Sequence, residues 1–114
     1  MQRGTSKFSS LGLNGGTATA ASGAATLNAF AGVVTSEAVT TAAGSEYTLA
    51  LTNSKIEASS VVMASVSNGT NTQGVLCLIR VGASAGGALI VVRNIHASQA
   101  LNGTIKIAFV VVQQ

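Results

Sequence analysis

Four apolar runs rich in Val and Ile, at residues 61–66, 75–81, 88–92 and 105–112, are separated by clusters of Gly, Asn and Ser. Branched side chains hold one staggered χ1 and pack well on a pleated surface, so runs of this length bounded by turn residues predict β-strands. Asn68-Gly69, Gly86-Gly87 and Asn102-Gly103 fall between the runs and predict chain reversals, because Gly and Asn tolerate positive φ. Upstream, the segment EYTLALT at 46–52 places Tyr47, Leu49 and Leu51 on one face and Glu46, Thr48 and Ala50 on the other. That period of two marks a half-buried strand. Residues 27–39 predict the first strands, broken at Gly32, and residues 53–59 a connection with one helical turn around 55–58.

About seven short strands with no helix-period segment predict an all-β fold, an antiparallel β-sandwich or jelly roll, since a sheet with one apolar face must bury it against another sheet. With 114 residues there is room for one domain, expected over 24–114, preceded by an extended N-terminal arm over 1–23 rich in Gly, Ser, Thr and Ala. The runs 75–81 and 107–112 are apolar on both faces, which predicts either central strands or a second face buried between subunits. Left on an open edge, 107–112 would aggregate, so it is expected to be paired and, with only Gln113-Gln114 after it, to close the fold.

Charged residues make up only 8% of the chain, against about a quarter in ordinary domains, and Asp, Pro and Trp are absent. A surface with so few charges is expected to be covered by other protein. Of the six cations behind the net charge of +3, Arg3 and Lys7 lie in the arm and the rest are dispersed, so the folded part is not expected to bind nucleic acid. A basic arm suits contact with an acidic protein surface. Phe8, Leu11 and Leu13 are its expected anchors, with the alternation at 11 and 13 that suits an added strand. Two readings stand for them: they clamp a neighbouring subunit, or they fold back on their own domain. No secretory signal is visible and no run approaches the roughly 18 apolar residues of a membrane helix, so the chain is expected to be soluble and made in a cytoplasm, without a membrane partner.

Little in the chain points to catalysis. It has one His, three Glu and one Cys, and Glu37, Glu46 and Glu57 fall on different segments, so no acid-base pair is implied. His96 reads as a loop histidine bonded to backbone rather than a metal ligand, since one His and one Cys make no zinc site within a subunit. Cys77, alone, rules out an internal disulfide and reads as a small buried residue rather than a reactive thiol. The polar loop at 68–74 has the groups to bind a sugar but no aromatic platform beside it. Gly15-Gly16 and Gly86-Gly87 lack the helix and Lys of a phosphate loop. No enzyme activity, cofactor or metal is expected.

The segment EYTLALTNS at 46–54, the Val-rich strand at 61–67, the stretch from Gly87 to VRN at 92–94, and NGTIKI followed by FVV at 102–111 together resemble small structural proteins of tailed-bacteriophage virions. The pattern spans residues 24–112 and is similar to that of capsid decoration, or cement, proteins. The resemblance implies a non-enzymatic β-sandwich on the capsid exterior that bridges and stabilises subunits of the major capsid protein after assembly in the host cytoplasm. It also implies a homo-oligomer, a trimer before a dimer; Arg3, Lys7, Phe8, Leu11 and Leu13, the expected partner-binding residues of the arm, lie outside its span and rest on the composition and alternation of the arm alone. The same pattern occurs in head-fibre and tail-fibre domains that bind receptors, the alternative reading, although this chain ends right after its last strand.

Overall fold

The computed structural model describes residues 16–113. They form eight strands: β1 (Thr17–Thr19), β2 (Ala24–Thr26), β3 (Ala31–Thr35), β4 (Glu46–Thr52), β5 (Val61–Asn68), β6 (Leu76–Ser84), β7 (Gly87–Asn94) and β8 (Ile105–Val112). The strands make two four-stranded sheets, sheet A with the order β1-β3-β8-β5 and sheet B with the order β2-β4-β7-β6. Every connection crosses from one sheet to the other except the β6–β7 hairpin. No helix occurs among the described residues.

The sheets face each other across one core. Val34 of β3 and Ile105, Ile107, Phe109 and Val111 of β8 meet Leu49 and Leu51 of β4 and Ile90 and Val92 of β7. Each such side chain contributes about 1.5–3 kcal/mol by leaving water. β4 spans the residues its alternation predicted, with Tyr47, Leu49 and Leu51 buried and the residues between them exposed. The four Val/Ile runs become β5 to β8. β8 lies between β3 and β5 and pairs with β5 over its whole length, from Val61 opposite Val112 to Asn68 opposite Ile105. The most aggregation-prone run thus has both its edges paired.

The sheets are mixed rather than purely antiparallel. β1 runs parallel to β3 and β2 parallel to β4, while the other pairs are antiparallel. A parallel pair needs a crossover, and the excursion of the chain through the opposite sheet supplies it. The turn carrying the chain from β1 to β2 uses Ser22 at φ 52° and Gly23 at φ 78°. Because β1 begins at Thr17, sheet A already takes up part of the segment expected as an arm over 1–23.

Two local expectations are corrected. Gly32 does not break a strand but lies within β3, where a Cβ would stand 2.6 Å from Leu27 Cδ2 and 3.0 Å from the Gly16 carbonyl oxygen. Close approach, not a turn, requires glycine there. The expected helical turn at 55–58 is absent because Asn53, fully buried, organises turns instead. Its Oδ1 accepts from the amides of Ala29 and Lys55 at 3.1 and 2.9 Å, and its Nδ2 donates to the Ala29 carbonyl at 2.7 Å.

Candidate interaction surfaces

The loops at 36–45, 69–75 and 95–104 gather at one end of the sandwich. Asn94, the last residue of β7, is buried and joins all three. Its Oδ1 accepts from the amides of Val75 and His96, and its Nδ2 donates to the carbonyls of Thr41 and Gln99. The polar groups of the 68–74 loop face the 102–104 loop. The Thr70 amide donates to Thr104 Oγ1 and the Thr104 amide to Thr70 Oγ1, each at 2.9 Å. Asn71 Oδ1 accepts from the Asn102 amide, and Asn102 Oδ1 accepts from the Thr72 amide, both at 2.7 Å. Groups that looked available to a sugar are engaged in tying two loops together. A Cβ on Gly103 would stand 2.6 Å from Thr70 Oγ1 and 2.8 Å from the Asn71 amide nitrogen, so this glycine serves closeness. Of the three turn dipeptides, only Gly86-Gly87 uses positive φ, at Gly86 with φ 87°.

His96 is bonded to backbone, as its loop position predicted: Nδ1 accepts from the amides of Ser98 and Gln99 at 3.0 and 2.9 Å. An accepting Nδ1 assigns the ring proton to Nε2. Glu37 accepts a hydrogen bond from the Tyr47 hydroxyl at 2.9 Å. Burial, and then that bond and the carboxylate charge, push the Tyr47 phenol well above its ordinary range. Glu46 opens β4 and Glu57 lies in the 53–60 connection. Among the described residues no three His, Cys, Asp or Glu side chains gather to hold a metal.

The outward faces of the sheets differ in character. On sheet B, Ile79 and Leu89 are 44% and 47% exposed, beside buried Val91. With Glu46, Thr48 and Arg80 they line a hollow of about 370 Å³. Arg93 lies opposite Glu46 in the β4–β7 register, so charges rim an apolar centre. A bulge between Leu78 and Arg80 on edge strand β6 inserts Ile79, which is how an apolar residue reaches this face. Cys77 also points outward, opposite Arg93, and is half-buried rather than part of the core.

Sheet A presents Val33, Ala108, Val110, Met63, Ser65, Val61 and Val112 at outward positions, and Lys106 carries the only charge among the outward positions of β3, β8 and β5. A trough of about 560 Å³ runs across this face, lined by Gly16, Gly32, Val33, Met63, Ala64, Ser65, Ala108, Phe109 and Val110. Met63 is 62% exposed there. The sequence carried a signal for this face in the alternate positions 108, 110 and 112, all apolar where a solvated face would be polar. It carried none for the trough, which needs β1 and β3 side by side.

The expected partner-binding residues Arg3, Lys7, Phe8, Leu11 and Leu13 lie outside the described residues. What the described surfaces offer chemically is association through apolar area with charged margins, not a convergence of titratable groups. No protein-family model, characterised protein or solved structure matches the chain.

Proposed function

We propose that the chain is a non-enzymatic structural protein of a tailed-phage virion, an oligomeric subunit that decorates and stabilises the capsid exterior by bridging major capsid protein subunits. The observation that carries the reading is the outward face of sheet B, where Ile79, Leu89 and Val91 form an apolar centre with Glu46, Arg80 and Arg93 around it. An apolar centre inside a charged rim is the anatomy of a protein interface, and a chain with 8% charged residues has little other means of staying solvated than being covered. The orders β3-β8-β5 and β4-β7-β6, with the chain alternating between sheets, suit the jelly-roll form expected from the strand pattern.

Mechanically such a subunit needs no chemistry. It adds buried area across joints between capsomers, and by binding only the expanded lattice it stabilises that state by mass action. Arg3 and Lys7 contribute steering and register toward an acidic shell surface. The test is co-sedimentation of the purified full chain with expanded, DNA-free shells. Saturable pelleting at a fixed ratio to major capsid protein, lost in Leu89→Asp, is expected. Binding to cell surfaces with no binding to shells would replace this reading with a receptor-binding fibre domain.

A further inference from the structure

The trough on sheet A lies where the described chain begins. Gly16 forms part of its wall, its carbonyl accepts from the Val33 amide at 3.2 Å, and its φ of 108° breaks the line of β1. The entry point of residues 1–15 is therefore fixed against β3, at the margin of an apolar hollow whose strands have no charge until Lys106. Among those residues, Leu11 and Leu13 precede Gly16 by five and three positions. In extended chain, at about 3.3 Å per residue, they reach roughly 10–17 Å from it. The hollow extends from β3 over β8 to β5, two strand spacings or about 10 Å. Reach and width agree, and residues two apart on an extended segment project to the same side.

We propose that this trough is the seat of the chain's own N-terminal segment, with Leu11 and Leu13 packed over Val33, Met63, Ala108 and Val110. A tethered segment only a few residues from its site has a large effective concentration there, so it outcompetes a second copy or a foreign partner for the same apolar area. Docked in this way, the segment buries an uncharged face that would otherwise aggregate, and it leaves Arg3, Lys7 and Phe8 farther from the fixed entry point, free to reach a neighbour. Sheet B, with its rimmed apolar centre, remains the face for other subunits. The proposal holds whether or not the chain belongs to a capsid.

Met63 supplies the readout, since thioether oxidation by peroxide follows access to the sulfur. In the full chain, conversion of Met63 to sulfoxide, followed by mass spectrometry, is expected to be at least about threefold slower than in the full-length double variant Leu11→Ser/Leu13→Ser, and independent of protein concentration. Equal rates in the two proteins would overturn the proposal. Protection that grows with concentration would overturn it too, by making a second copy the occupant. As a second measurement, Leu13→Cys with Ala108→Cys in a Cys77→Ser background is expected to form an intrachain disulfide on mild oxidation. Exclusive formation of disulfide-linked dimers would contradict docking within one chain.

Discussion

Asn94 shows how much of the architecture depends on single polar residues. It satisfies four backbone groups from three loops and is almost wholly buried. Asn94→Ala removes the side-chain partner of the Val75 and His96 amides and of the Gln99 carbonyl, while the Thr41 carbonyl keeps the Leu101 amide, and is expected to cost about 2–4 kcal/mol in denaturant unfolding. Exposed Gln73, whose side chain has no comparable task, should tolerate Ala with little change. Tyr47 gives a pH signature. Its phenol is held above its ordinary range in the folded state, by burial first and by Glu37 second. The neutral hydroxyl therefore stabilises the fold fully below the unfolded value of about 10, and this contribution is lost as pH rises above it. Thermal unfolding followed from pH 8 upward should show a steeper alkaline fall in the native protein than in Tyr47→Phe. Neither role was legible in the sequence, where Asn94 is one polar residue after a strand and Tyr47 one apolar position among three. Hydrogen bonds between residues 53 and 69 positions apart, as from Asn94 to Thr41 and from Ile105 to Ser36, leave no local pattern.

At the scale of elements, the strands with strong periodicity could be read and the short ones could not. Glu46–Thr52 and the Val/Ile runs specify their own register because a slip of one residue would turn the buried set outward. Val111, 6% exposed in β8, an interior strand of sheet A, is a direct check. Val111→Asp places a carboxylate in the core and is expected to destabilise by about 3–5 kcal/mol, measured by the shift of the denaturation midpoint. A near-neutral effect would contradict the placement of β8. β1 and β2 have three residues each, of Ala and Thr in Gly-rich surroundings, and carry too little apolar signal to announce themselves. They form strands because β3 and β4 offer open edges, so their parallel pairing leaves no mark in the local sequence. Gly103 belongs to the same lesson. Its pairing with Asn102 looks like a turn signal, yet Gly103→Ala should cost about 1–3 kcal/mol through collision with Thr70 and Asn71 rather than through φ.

For the whole molecule, the two sheets divide the work of dealing with a surface poor in charge. Sheet A carries a trough at the entry point of the N-terminal segment, and sheet B carries an apolar centre with a charged rim. The expectation of apolar faces on both sides of β8 was legible from alternate residues, whereas the difference between the two outward faces was not. It depends on which strands become neighbours and on a bulge that brings Ile79 outward. We propose that this protein works as an assembled subunit, held to others through surface that a free monomer would leave wet. Sedimentation velocity of the purified full chain over a wide range of concentration tests it most directly. The expected result is a discrete trimer or dimer that persists on dilution and is dissociated by Leu89→Asp. A species of about 11.2 kDa at every concentration, indifferent to that substitution, would contradict it.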